Sequence, residues 1–86
     1  DKLGTKNIFI NNLNLLVDQN ELKKEVLVKV RSTGKLLNAK INIRENNSAE
    51  VDLDKTEDGI SPGQACVFYK KDKIGFKVLG GGWIKN

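Results

Sequence analysis

Residues 25–54 read EVLVKVRSTGKLLNAKINIRENNSAEVDLD, and the alternation within them decides the fold class. Val26, Val28 and Val30 fall on one side of the chain, and Leu27, Lys29 and Arg31 on the other. In the next run Leu37, Ala39, Ile41 and Ile43 point one way, with Asn38, Lys40 and Asn42 opposite. Ala49, Val51 and Leu53 then stand against Glu50, Asp52 and Asp54. A period of two with one apolar and one polar side marks antiparallel strands that bury one face and wet the other. STGK and RENNS, short and rich in turn formers, join the three strands into a meander of hairpins.

On the C-terminal side, QACVFY (64–69) is apolar on both faces and predicts a central strand covered on both sides. Pro62-Gly63 before it fits a type II turn, in which Pro presets φ and Gly supplies the positive φ that follows. The charged hairpin KKDKIGFK leads into VLGGGWI, where three glycines inside a strand predict a bulge, a sharp bend or a close backbone approach. On the N-terminal side, KNIFINN predicts a first strand, and LNLLVDQNELKK is the one segment with room for a helical turn. The expected fold is all-β: a small closed or partly open antiparallel β-barrel of about six strands, since closure removes the edges that so small a sheet cannot protect.

Eighty-six residues make one domain, 1–86, with 1–24 a lead-in carrying the first strand and 25–86 the core barrel. The chain has no methionine and begins at Asp1, which predicts a processed product or a domain cut from a longer protein. No apolar run approaches the ~20 residues of a membrane span and no signal peptide is evident, so no membrane partner is expected and the cytoplasm is the expected location. A single cysteine excludes an internal disulfide. The absence of histidine excludes Ser-His-Asp and Cys-His machinery and His-bearing zinc sites within the chain.

The net charge of +4 is unevenly distributed. Between residues 23 and 44 seven basic residues face one acid, Glu25, whereas between 50 and 58 five acids face one base, Lys55. The first stretch suits a polyanion and the second does not, although solvated strand faces would read the same way. STGK lacks the first glycine of a phosphate-binding loop, and GGG lacks dinucleotide spacing. The acidic run EVDLDKTED has neither the glycine nor the terminal glutamate of a calcium loop. Asp52 and Asp54 share a wet face without a pocket signal, which makes them poor acid–base candidates. Phe9, Phe68, Tyr69, Phe76 and Trp83 are too few and too core-like to announce a stacking platform for single-stranded RNA.

EVLVKVRST, AEVDLD, EDGISPGQACVFY and VLGGGWI follow one another in an order that closely resembles the C-terminal domain of the bacterial tRNA 2-thiouridylase family, over about 60 of the 86 residues. SPGQACVFY followed by VLGGGWI carries the likeness; VKVR alone would not. The chain departs from the family at Leu15, where an aromatic residue is common, and in the KKDKIGFK hairpin (70–77), which is longer than usual.

The resemblance implies a three-part enzyme: an ATP-pyrophosphatase domain of the PP-loop type, a central domain, and this barrel, similar to the second domain of elongation-factor-type proteins. Such an enzyme adenylates the wobble uridine of certain tRNAs and replaces its 2-oxygen with sulfur delivered as a persulfide. ATP and Mg belong to the other parts; no cofactor, metal or catalytic residue is expected in this domain. The implied partners are tRNA at its anticodon arm, the catalytic and central domains of the parent enzyme, and the parent's persulfide donor. The VKVR match puts Lys29 and Arg31 on a wet strand face, and with the flanking Lys24 and Lys35 they are the expected RNA contacts. The alternative is a stand-alone translation-factor-like barrel that docks to protein. A sulfur-moving family makes Cys66 tempting as a carrier. Its apolar strand, with Phe68 on the same side and no histidine or helix N-terminus at hand, predicts a core residue instead.

Overall fold

A computed structural model describes residues 5–30 and 34–85, with only the backbone of Thr5. Six strands, β1 (Thr5–Leu15), β2 (Val26–Lys29), β3 (Leu37–Arg44), β4 (Ser48–Glu57), β5 (Ala65–Asp72) and β6 (Gly75–Ile84), close into a barrel in the order β1-β4-β3-β2-β5-β6. Every neighbouring pair is antiparallel, and β6 returns to β1, so no strand presents an unpaired edge along its whole length. The expected barrel and the β2-β3-β4 meander are both present. β1 runs on to Leu15, beyond the stretch whose alternation announced it.

The alternating apolar residues line the interior. Val26, Val28, Ala39, Ile41, Ala49, Val51 and Leu53 are buried, with Ile8, Ile10, Cys66, Phe68, Leu79 and Ile84 completing the fill. Among the described residues no polar side chain is buried, so the interior is a dry plug. The segment expected to hold a helical turn forms a 3-10 turn at Gln19–Leu22, capped by Asp18, whose carboxylate accepts from the Asn20 N–H at 3.0 Å. Leu22 in this turn is buried and joins the core.

Three register shifts let eleven- and ten-residue strands wrap so small a barrel, one of them against β4 between Thr5 and Asn7. In β1 the register against β6 shifts between Asn11 and Asn14, and Asn12 takes φ 52°. Before the shift Ile8 and Ile10 are the inward residues; after it Leu13 and Leu15 pack on the core, so the bulge moves the inward set from even to odd positions. In β6 the register against β5 shifts between Phe68 and Tyr69: Phe68 opposes Gly80 and Tyr69 opposes Val78, which leaves Leu79 as the extra, buried residue.

The three glycines are required by close approach on both sides of β6. A Cβ at Gly82 would press into Ile10 Cγ2 and sit 2.6 Å from the Asn11 carbonyl oxygen. One at Gly81 would collide with the backbone carbonyl of Cys66 on β5. The expected turn at Pro62-Gly63 is present: Gly63 has φ 88°, and the Gln64 N–H donates to Ser61 O at 3.4 Å.

Candidate nucleic-acid interface

With the interior filled, the outside of the barrel is the working surface, and the ladder registers sort it into two flanks. The outward positions of β3 and β4 are polar. Lys40 is the cross-strand partner of Asp52, Arg44 forms an ion pair with Glu50, and Asn7 Nδ2 donates to Glu50 Oε2 at 3.1 Å. Lys35 reaches Glu57 at 3.8 Å. The basic and acidic stretches that the chain keeps apart in sequence therefore meet across the β3–β4 ladder, where opposite charges face each other. Of the basic residues between 23 and 44, Lys35 and Arg44 form ion pairs with β4 and Lys40 stands opposite a β4 carboxylate.

The other flank, over β2, β5 and β6, is largely apolar. Leu27 opposes Tyr69, Ala65 opposes Trp83, and Tyr69 opposes Val78, all outward. Leu27, Ala65, Val67 and Tyr69 are half-buried by their neighbours, so the strand expected to be covered on both sides is fully covered only on its Cys66 and Phe68 side. Trp83 and Phe9 remain about half exposed, at 52% and 54%.

The four residues expected to contact RNA are not one cluster. Lys29 lies on the outward face of β2 with Val67 as its cross-strand partner and is half-buried, less wet than its alternation suggested. Lys35, just before β3, sits at the same end as Lys29 but is engaged with Glu57. Lys24 is exposed at the opposite end of β2, following the 3-10 turn. Arg31 lies outside the described residues. Sequence reasoning passed over the lysines of the β5–β6 hairpin, Lys70, Lys71, Lys73 and Lys77, all of them exposed. The signal was visible in KKDKIGFK, but local charge alone does not tell a projecting hairpin from a solvated strand face. Glu21 Oε1 lies 3.6 Å from Lys70 Nζ, which places the 3-10 turn, and Lys23 and Lys24 after it, at the base of that hairpin.

Cys66 is inside the barrel wall and fully buried. Burial pushes its thiol up from 9.0 to about 12, the opposite of what a sulfur carrier needs. Among the described residues no three of His, Cys, Asp and Glu stand together as a metal site, and no helix is long and apolar enough to cross a membrane.

A filled six-stranded antiparallel barrel with a divided exterior defines the class of small antiparallel β-barrel domains. Over residues 5–84 the chain matches, and belongs to, the aminomethyltransferase beta-barrel domain family. Its relatives include the tRNA-specific 2-thiouridylase MnmA of Ruegeria sp. (strain TM1040), 41% identical over 98% of this chain. The MnmA proteins of Paracoccus denitrificans (strain Pd 1222) and Orientia tsutsugamushi (strain Boryong) are 40% and 45% identical over 98% and 96% of the chain. The match takes in 21–22% of each relative, so the chain spans about a fifth of their length and corresponds to their C-terminal barrel domain. No solved structure matches the chain significantly.

Proposed function

We propose that this barrel is the tRNA-holding domain of a tRNA 2-thiouridylase, acting in the cytoplasm and contributing no reacting group of its own. The observation that carries the reading is the 40–45% identity to MnmA proteins along nearly the whole chain. The dry interior supports a role confined to the outer surface, where lysines are available for phosphate contact. ATP with its Mg and the persulfide donor act in the remainder of the longer enzyme. The apolar flank around Trp83 and Val67 rests against that remainder, its catalytic and central domains, which make up about four fifths of the relatives' length. The wobble uridine's arm of the tRNA is the part held.

Deleting the barrel from the full-length enzyme tests this reading. Affinity for unmodified tRNA is expected to fall at least about tenfold, the loss of a few phosphate contacts, while ATP binding by the remainder persists. Unchanged tRNA affinity in the truncated, folded enzyme would refute it.

A further inference from the structure

β5 and β6 outrun the barrel. The pairing of β2 with β5 ends at Leu27 and Tyr69, and that of β1 with β6 ends at Leu15 and Gly80. The Leu16 N–H still donates to Leu79 O at 2.9 Å; past Leu79 and Tyr69 the two strands pair with each other alone, Lys70 with Lys77, Lys71 with Phe76 and Asp72 with Gly75. The result is a two-stranded ribbon, exposed along its length, with Ile74 at its turn 96% exposed and Phe76 53% exposed.

This ribbon is unfavourable in isolation. Its eight residues hold four lysines against Asp72, a net of +3 out of the chain's +4. Lys70 and Lys77 face each other directly, and like charges placed opposite across a ladder repel. Glu21 relieves Lys70; among the described residues no carboxylate lies within 4.0 Å of Lys71, Lys73 or Lys77. Asp72 accepts from the Lys73 N–H at 2.6 Å, a bond local to the turn. On the β3–β4 flank Arg44 pairs with Glu50 and Lys40 stands opposite Asp52, whereas the ribbon concentrates a net of +3 in eight exposed residues. An aromatic ring in water beside these lysines adds a second unsatisfied group. One kind of partner answers both: phosphates for the ammonium groups and an unpaired base for the ring.

We propose that the β5–β6 ribbon is the element of this domain that grips RNA. Lys71, Lys73 and Lys77 contact successive phosphates, Lys24 and Lys70 extend the contact at the ribbon's base, and Phe76 stacks on an unpaired base of a loop. The proposal rests on the reading of the domain as a tRNA holder and names the surface that does the holding. A single-stranded loop suits the ribbon better than a duplex, because a base must leave the stack to cover Phe76.

The test uses the full-length enzyme and an unmodified tRNA transcript, with dissociation constants measured across a salt series. The triple variant Lys71→Ala, Lys73→Ala, Lys77→Ala is expected to bind at least about tenfold more weakly at low salt. Its log–log salt slope should be shallower by about 2, at ~0.7 per lost single-strand contact. Lys→Arg at the same three positions restores both. Phe76→Ala is expected to weaken binding about 5- to 160-fold with the slope unchanged, the range for losing one stacked base. The ribbon lies outside the core, so thermal melting should be preserved.

Wild-type affinity and slope in the triple variant overturn the proposal, and so does weaker binding with an unaltered slope, which would make the ribbon a contact to protein. If the barrel deletion weakens tRNA binding but the triple variant does not, the ribbon assignment alone falls. If the deletion also has no effect, the tRNA-holding reading falls with it.

Discussion

Cys66 and Gly82 stand opposite each other in the β5–β6 ladder, and the Ile10 side chain of β1 occupies the space where a Cβ on residue 82 would go. β6 is thus pressed between its two neighbours at the point where the barrel closes. The glycine run and the buried thiol are parts of one packing solution. Closure here depends on the absence of a side chain.

Gly82→Ala should therefore cost about 1–3 kcal/mol, the usual penalty for forcing an extra carbon into a filled core. The clash involves backbone as well as Ile10, so relaxation of one rotamer cannot remove it. A urea melt of the variant reads this directly; a midpoint equal to wild type would show that the wall gives at no cost.

The thiol of Cys66 should be silent in the native protein. With its titration pushed up to about 12, it should fail to react with a thiol reagent at pH 8 until the chain unfolds. Cys66→Ala is expected to lose about 1 kcal/mol at pH 7 from reduced packing and to leave thiolation by the full-length enzyme intact. The pH dependence has a defined sign. Unfolded Cys66 loses its proton above 9.0 and folded Cys66 keeps it to about 12, so wild-type stability falls with rising pH across that window. At a limit of about 1.4 kcal/mol per pH unit from this group, the alanine variant should draw level near pH 10. A constant gap from pH 8 to 11 would show that the thiol is not held neutral by burial.

Asn46 and Asn47 lie in the three-residue β3–β4 loop, 45–47, with φ of 59° and 54°, both in the left-handed region. Asn tolerates this conformation and Gly adopts it without strain. Asn47→Gly should raise stability by a few tenths to about 1 kcal/mol, less the entropy of the freer unfolded chain. Its carbonyl bond from the Leu13 N–H, 2.8 Å long, is retained because only the side chain changes. Asn46→Val, by contrast, should lose about 1–2 kcal/mol.

Lys29→Ala with Arg31→Ala should weaken tRNA binding by the full-length enzyme and flatten its salt dependence, as each lost phosphate contact removes counterion release. The drop in slope should be smaller than for the three ribbon lysines. Lys29 is half-buried beside Val67, whereas the ribbon lysines are exposed. An unchanged affinity and slope would remove these two residues from the RNA surface.

The strands were legible because their physical cause is local. Val26, Val28 and Val30, then Ala39 and Ile41, then Ala49, Val51 and Leu53 alternate, and all of them are buried. The Pro62-Gly63 turn was equally legible, since a fixed φ followed by a positive one is a property of those two residues. The site was legible only in part. Lys24, Lys29, Arg31 and Lys35 lie close in sequence, but strand direction sends Lys24 to one end of β2 and Lys29 to the other, and Glu57 takes up Lys35. KKDKIGFK was read as a charged hairpin, without a sign that it projects.

What the sequence determined by itself is the set of strands, the inward faces of β2, β3 and β4, and the identity of Cys66 as core, because side-chain alternation and apolar content act over neighbouring residues. What only the tertiary structure decided is where the charge remains unanswered. Strand order and register choose which residues become neighbours: they bring β3 cations onto β4 carboxylates, leave Lys71, Lys73 and Lys77 without one, and carry β5 and β6 past the barrel's end. Coulomb interactions and close packing depend on distance in space, and in a barrel that distance is set by closure rather than by separation along the chain.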